Sequence, residues 1–221
     1  MTRLGRAMSL FPLLHVTLVA VSALWFVASL SLLAGLASVF FIYLFPLLCF
    51  RLHNKKFPIK HGVSDLTRGY SPWYGAHMLQ YLHLTFPVFE RLLRLIPGAF
   101  SLWLRLWGSK VGNNVYWTAH LTLGDRSLLE IGDNCVFGYN IKITCHAIRP
   151  NKRDGLLLYV KPVVIKNHAF IGAESRFGPG VVLQAGAQLP VCSEVLPNTV
   201  LSGRLKRDDV RRAQTSRKGQ A

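Results

Sequence analysis

Hydrophobic residues in the C-terminal half of the chain return at every sixth position. The series runs without a gap through Ile165, Ile171, Phe177, Leu183, Leu189, Val195 and Leu201. A β-strand repeats every two residues and an α-helix about every 3.6, so neither element explains this period. Four positions after each large residue stands a small or β-branched one, at Ala169, Ser175, Val181, Ala187, Ser193 and Thr199. Short six-residue units, each with one inward side chain and a tight corner, explain both series.

An earlier block repeats the pattern, with Ile131, Phe137 and Ile143 at the large position and Cys135, Ile141 and Ala147 at the small one. Three units that close into a triangular coil would stack the large residues, and each coil needs neighbours to cover its faces. We therefore predict a parallel β-helix of hexapeptide repeats over residues 111–203. Ile143 and Ile165 lie 22 residues apart, which is one coil plus four residues. We place this interruption in 147–162, "AIRPNKRDGLLLYVKP", as a loop on one face.

The N-terminal part of the chain is apolar. Met8–Phe50 contains no Lys, Arg, Asp or Glu across 43 residues. About 20 apolar residues cross a bilayer, so this run is long enough for two helices. Residues 1–50 are therefore predicted to form a two-span transmembrane hairpin that reverses near residues 29–35. A cleaved signal peptide has an apolar region of only about 7–15 residues; a re-entrant segment or a single tilted helix is the remaining alternative.

Basic residues flank the apolar run on both sides, at Arg3, Arg6, Arg51, Lys55, Lys56 and Lys60. Because basic flanks favour the cytoplasmic side of a membrane, we expect the β-helix to face the cytoplasm from the inner membrane. The formal net charge is +16. Membrane lipids explain this charge, since a basic residue near an anionic leaflet gains about 1 kcal/mol. No nucleic-acid recognition motif accompanies the charge, so we expect no nucleic-acid partner.

The four cysteines, Cys49, Cys135, Cys145 and Cys192, have no metal-site spacing. Cys135 occupies a small-residue position of the repeat, which predicts a buried free thiol. Free thiols agree with a reducing compartment.

A basic connector over residues 51–110 joins the hairpin to the repeats, and a basic tail covers residues 204–221. In the connector, Pro97-Gly98 separates two short amphipathic helices. Helices of this composition lie on membrane surfaces, and they could also cover the open end of the β-helix. The two interpretations are compatible.

His146 is the candidate for acid–base chemistry, because it stands immediately before the inserted segment and outside the inward positions. Imidazole is the side chain best suited to take a proton from a hydroxyl or amine near neutral pH. A surface histidine at a corner is the alternative. His168 is expected at the same repeat position one coil later, in a structural role. His120, His146 and His168 lack a close ligand pair, so we expect no metal site.

The segment "KPVVIKNHAFIGAESRFGPGVVLQAGAQLPVCSEVLPNTVLSG", residues 161–203, resembles the C-terminal half of hexapeptide-repeat acyltransferases. Residues 129–147 resemble the same family more loosely. The resemblance implies a left-handed parallel β-helix, a homotrimer, and sites in clefts between subunits. It also implies acetyl-coenzyme A or another acyl thioester as co-substrate, with no tightly bound cofactor.

The resemblance also implies roles for single residues. In the family, a histidine beside a protruding loop is the general base, and His146 matches it. Phe170 stands where the family frequently has Trp, so it is a candidate for donor contact. Arg204, Lys206 and Arg207 follow in place of the family's terminal motif and are candidates for the phosphates of coenzyme A. The backbone of Gly172 is a candidate for oxyanion stabilisation.

Three classes of function remain open. The first is a membrane-anchored acyltransferase acting on a hydroxyl or amine of a lipid-linked or surface-glycan precursor. The second is a non-catalytic membrane-anchored scaffold or binding protein that uses the β-helix for partner contacts. The third is a metal hydratase resembling the β-helical carbonic anhydrases, which needs a close histidine pair that the sequence lacks.

Overall fold

The computed structural model of the protein describes residues 2–151, 155–210 and 212. The chain forms two compact units. One unit contains the chain up to Lys60 together with Asp65–Phe89, and the other contains His61–Ser64 and the chain from Glu90 onwards.

The described helices are α1 (Arg3–Ser29), α2 (Leu32–Val39), a π-helical segment (Phe40–Leu44), α3 (Phe45–Lys56), α4 (Pro72–Leu79), α5 (Tyr81–Thr85), α6 (Val88–Arg94) and α7 (Ala99–Trp107). The Thr2 side chain caps α1 by accepting a hydrogen bond from the Gly5 N–H at 3.1 Å. Leu30 ends the helix in the left-handed conformation, with φ of 50°. Ser31 caps α2 by accepting from the Ala34 N–H at 3.2 Å. The chain thus reverses at Leu30 and Ser31, within the predicted range.

Two stretches of the first unit are long and apolar enough to cross a bilayer by length and composition, namely Arg3–Ser29 and Leu32–Lys56. Their outward surfaces carry large apolar side chains such as Leu13, Leu24 and Leu33. His15 of α1 is fully buried, and its Nε2 lies 2.8 Å from the Phe41 carbonyl oxygen of the π-helical segment. This contact ties the first stretch to the second. Helices α4 and α5 pack against α1.

The strands are β1 (Gly62–Asp65), β2 (Lys110–Val111), β3 (Leu121–Leu123), β4 (Leu129–Ile131), β5 (Val136–Phe137), β6 (Ile141–Ile143), β7 (His146–Asn151), β8 (Gly155–Val160), β9 (Val163–Ile165), β10 (Phe170–Ile171), β11 (Arg176–Phe177), β12 (Val182–Leu183), β13 (Gln188–Leu189), β14 (Glu194–Val195) and β15 (Val200–Leu201). Except for β1, β7 and β8, they form the three faces of a left-handed parallel β-helix. The strand orders of the faces are β13-β10-β5, β14-β11-β6-β3 and β15-β12-β9-β4-β2.

Both residue series of the repeat point inward, as the sequence predicts. The large residues from Ile165 to Leu201 are buried, and so are the six small residues between Ala169 and Thr199. Cys135 is buried as a free thiol, as predicted. Ala147 is the exception, because it lies in β7 outside the coil and is only half-buried.

The insertion is larger than the four residues inferred from the sequence. Ile131 pairs with Ile165, 34 residues later, whereas Ile165 pairs with Leu183, 18 residues later. The interrupted coil therefore contains 16 extra residues. They form an antiparallel hairpin of β7 and β8, which β1 joins as a third strand. The inference failed because Ile143 and Ile165 occupy consecutive strands and not equivalent positions of successive coils. Lys152, Arg153 and Asp154, expected in this insertion, lie outside the described residues.

Helix α7 covers the first coil of the β-helix through an aromatic cluster. The Phe100 ring meets the Trp117 ring edge-on at 5.1 Å, and Trp117 stacks on Phe137 at 4.6 Å between ring centroids. The Ser109 hydroxyl donates to the Arg126 carbonyl at 2.7 Å. The predicted covering role of the connector therefore holds for its second helix.

Truncation of an inward residue should destabilise the β-helix far more than truncation of an outward one. We expect Leu183→Ala, which empties a fully buried position, to lower the free energy of unfolding by about 2–5 kcal/mol. Arg176→Ala, at an exposed position of β11, should change it by less than about 0.5 kcal/mol. Chemical denaturation followed by fluorescence measures both, and equal effects would contradict the inward assignment.

Candidate active site

His146 lies where the hairpin leaves the β-helix. It is the first residue of β7, and its side chain is 18% exposed. The Lys161 N–H donates to the Cys145 carbonyl at 2.9 Å and closes the base of the hairpin. The imidazole is thus held at a fixed junction, with part of its surface accessible.

A buried carboxylate orients the imidazole. Nδ1 of His146 lies 2.7 Å from Oδ2 of Asp125, whose side chain is 2% exposed. The same oxygen accepts the Cys145 N–H at 2.9 Å. Asp125 comes from the preceding coil, because Leu123 pairs with Ile143, 20 residues later. A ligand from one coil therefore fixes the ring of a residue from the next.

This pair has the geometry of a carboxylate–histidine dyad. An ionised carboxylate only accepts hydrogen bonds, so Nδ1 carries the proton and Nε2 carries the lone pair. A histidine in this tautomer can take a proton from a hydroxyl or amine. The carboxylate then stabilises the imidazolium that forms.

Cys145 is next to the dyad but has the wrong protonation state for a nucleophile. Burial raises the pKa of its thiol well above the ordinary value, and the Asp125 carboxylate raises it further. Since the thiolate is the reactive form, this cysteine stays inert at neutral pH. The chemistry of the site therefore rests on the imidazole.

The two faces of the hairpin have different surroundings. His146 and Ile148 pair with Val160 and Leu158 across β7 and β8, and side chains alternate between faces along a strand. The intervening residues of both strands line a cavity of about 280 Å³ together with Asn198. The Tyr159 hydroxyl donates to Asn198 Oδ1 at 2.7 Å in this cavity. The hairpin thus separates the imidazole from the cavity.

The backbone of Gly172 is already engaged. Its N–H donates to the Leu189 carbonyl at 2.9 Å, within the hydrogen bonding between coils. A Cβ at this position would approach the backbone of Pro190 and Val191 to 2.5 Å. The glycine is therefore required by packing, and its amide is committed to the fold, so we do not retain it as an oxyanion donor.

Two of the candidates for donor contact share one face of the β-helix. Phe170 is 49% exposed and pairs with Gln188, which in turn bridges to Arg204. Phe170, Gln188 and Arg204 thus form an outward column across three coils. Lys206 and Arg207 are exposed beyond it. His146 follows β6, a strand of a different face.

The other histidines lie apart from the dyad. His168 occupies a corner with a φ of 60°, and its N–H donates to the Asp133 carbonyl at 2.9 Å. Contrary to the sequence-based expectation, it follows β9 and does not repeat the position of His146. The reason is the true length of the insertion. His120 is exposed, with its ring 5.0 Å from the Tyr139 ring. Among the described residues, no group of three or more His, Cys, Asp and Glu could hold a metal.

No protein-family model matches the chain. Galactoside O-acetyltransferase of Escherichia coli is 30% identical to it over 99 residues, which is 42% of this chain and 49% of the relative. The β-helix is related to hexapeptide-repeat acetyltransferases. The family resemblance predicted from the sequence is thereby confirmed, while the chain spans about half the length of the curated relative it matches.

Solved structures of acetyltransferases of this type resemble the chain at low identity. A hexapeptide-repeat-containing acetyltransferase from Vibrio cholerae, in complex with acetyl-coenzyme A, is 15% identical, with a TM-score of 0.40. The comparison covers 56% of this chain and 83% of that one. A galactoside acetyltransferase in complex with coenzyme A is 17% identical, with a TM-score of 0.35, and covers 57% of this chain and 82% of that one.

Proposed function

We propose that the protein is an acyltransferase that moves an acetyl group, or another short acyl group, from a coenzyme A-type thioester to a hydroxyl or amine. The observation that carries the proposal is the Asp125–His146 dyad, placed at the base of a hairpin on a β-helix. The sequence relationship to a galactoside O-acetyltransferase supports the same chemistry.

The proposed reaction is a direct transfer. Nε2 of His146 takes the proton from the acceptor hydroxyl or amine as that atom attacks the thioester carbonyl. The tetrahedral intermediate collapses, the carbon–sulfur bond breaks, and the thiolate leaves. The imidazolium then returns the proton to the thiolate, giving the acylated acceptor, free thiol and neutral histidine. Asp125 holds the ring in position throughout.

We propose Phe170 and Arg204 as donor contacts. An exposed aromatic ring offers an apolar surface to the adenine or the pantetheine arm. The guanidinium of Arg204, together with Lys206 and Arg207, supplies charge for the phosphates of coenzyme A. Replacing Arg204 with Ala should raise the KM for the donor and leave kcat nearly unchanged. An unchanged KM would remove this residue from the donor site.

We infer a homotrimer in which the donor column of one subunit meets the dyad of a neighbour. Within one chain, Phe170 and the strand before His146 belong to different faces of the β-helix, which supports a shared site. Light scattering in mild detergent, corrected for bound detergent, tests the oligomeric state. A monomer with full activity would overturn the shared site.

Membrane anchoring by α1–α3 is the second part of the proposal. The length and apolar surface of the two stretches support insertion in the cytoplasmic membrane, and the basic flanks favour both ends in the cytoplasm. Such an anchor suits a lipid-linked or surface-glycan acceptor. Cysteines placed at Arg3 and Lys55 should resist a membrane-impermeant reagent in intact cells, and labelling of either one would contradict this orientation.

The activity is tested by following thiol release from acetyl-coenzyme A, with mass spectrometry of lipid-linked sugars from cells with and without the protein. We expect thiol release that depends on an acceptor, and acylated sugars only where the protein is present. If neither product forms, the non-catalytic scaffold becomes the better explanation.

A further inference from the structure

The turn between α6 and α7 exposes large apolar side chains. Leu95 is 78% exposed and Ile96 is 62% exposed. Leu92 on the preceding turn and Leu102 of α7 are also exposed. Contiguous apolar surface of this kind marks a contact with a protein or a membrane.

A packed scaffold holds this turn in place. The Glu90 carboxylate accepts a hydrogen bond from Nε1 of Trp103 at 2.9 Å, which joins α6 to α7. The Arg94 guanidinium lies 4.1 Å over the Phe100 ring and donates to the Ala119 carbonyl at 2.7 Å. The apolar side chains are therefore presented at a fixed position by helices docked on the β-helix.

The charge around the turn is positive. From Arg91 to Gly124 the sequence has no Asp or Glu, and it contains Arg91, Arg94, Arg105 and Lys110. The acidic residues that bound this segment, Glu90 and Asp125, are both buried. Burial lowers the pKa of Arg94 to about 10, which leaves the guanidinium charged at neutral pH. An apolar tip within a basic, acid-free segment complements the surface of an anionic bilayer.

We propose that Leu95 and Ile96 insert into the headgroup region of an anionic bilayer and hold the first coil of the β-helix at the lipid surface. This contact is separate from the two apolar stretches, although it rests on the proposed membrane location. A second copy of the chain is a poorer occupant, because the same acid-free basic segment would then face itself or another basic surface.

The contact explains how a lipid-linked acceptor could reach the dyad. Helix α7 covers the first coil, and β6, which precedes His146, is paired directly to β3 of that coil. Neighbouring strands are about 4.8 Å apart, so His146 lies within roughly 10 Å of the covered end along the β-helix axis. A sugar carried on a lipid headgroup is within reach at that height.

Fluorescent labelling of the full chain in lipid nanodiscs tests the proposal. Single cysteines replace Leu95 or Val191 in a background of Cys49→Ala and Cys192→Ala, in which the remaining thiols, Cys135 and Cys145, are buried. Val191 is a matched control, since it is an exposed apolar residue far along the β-helix. The nanodiscs contain phosphatidylcholine and phosphatidylglycerol, some with a nitroxide on the lipid as a quencher.

We expect an environment-sensitive dye at residue 95 to emit at shorter wavelength than at residue 191 and to be quenched by the nitroxide lipid. A dye at residue 95 that behaves like the one at residue 191 would overturn the proposal. Blue-shifted emission without quenching would also overturn it, because protein would then cover the turn. A third label at Leu24, in α1, reports insertion of the apolar stretches independently. Quenching at residue 24 but not at residue 95 would refute this contact while leaving the anchor intact.

Discussion

Replacing His146 with Ala is expected to lower turnover by about 10²–10⁴-fold, which is the usual contribution of a positioned general base. The protein should still fold, because the imidazole lies outside the inward stack and is partly exposed. It should also bind the acyl donor normally, since the donor candidates lie on another face. Acyl transfer per folded protein, measured with the melting temperature of each variant, gives the result.

His168→Ala is the control for this prediction. His168 is a corner residue, and its backbone N–H, which any residue can supply, makes the contact with Asp133. We expect nearly normal turnover and at most a small loss of stability. If His168→Ala abolished activity while His146→Ala did not, the wrong histidine would have been assigned; if neither variant lost activity, the general-base mechanism would fail.

Asp125→Asn separates positioning from packing. The amide can donate to Nδ1 of His146, which favours the ring tautomer with its proton on Nε2 and removes the lone pair from that atom. We expect kcat to fall with little change in the KM for the donor. A purely structural aspartate would lower stability and leave the kcat of the folded fraction unchanged.

The repeat was predictable from the sequence because its geometry leaves a one-dimensional record. Each short strand buries one large residue, so Ile165 to Leu201 follow a strict period that local propensity does not disturb. The reversal of the apolar run was predictable for a similar reason, since Ser31 is a strong helix-capping residue. In both cases, adjacent residues determine the structure.

The partner of His146 was not predictable in the same way. Asp125 is 21 residues away in sequence, and the irregular first coil conceals which positions lie side by side. Once Leu123 is known to pair with Ile143, the contact between Asp125 and the residues after Ile143 follows directly. The hairpin was missed because a 22-residue gap was compatible with two assignments of coil position. Contact across coils was needed to choose between them.

Removal of either partner of the buried ion pair between Glu90 and Arg126 should produce the largest loss of stability in the β-helical unit. Nε of Arg126 lies 2.6 Å from Oε1 of Glu90, and the two side chains are 1% and 2% exposed. Glu90 also accepts the hydrogen bond from Trp103. In Glu90→Ala, the charged guanidinium of Arg126 stays buried without this carboxylate, which should cost about 3–5 kcal/mol.

Two comparisons distinguish a charge effect from loss of packing. The exposed pair of Lys110 and Glu130 has a similar separation of 3.1 Å, but Glu130→Ala should cost less than about 1 kcal/mol because water screens both ions. The double variant Glu90→Leu, Arg126→Met removes both charges and should recover most of the loss seen in Glu90→Ala. Urea denaturation in detergent, followed by tryptophan fluorescence, gives the three free energies. If the double variant were as unstable as Glu90→Ala, the hydrogen bonds that join α6 to α7 would outweigh the unpaired charge. The presentation of Leu95 at the lipid surface would then depend directly on Glu90.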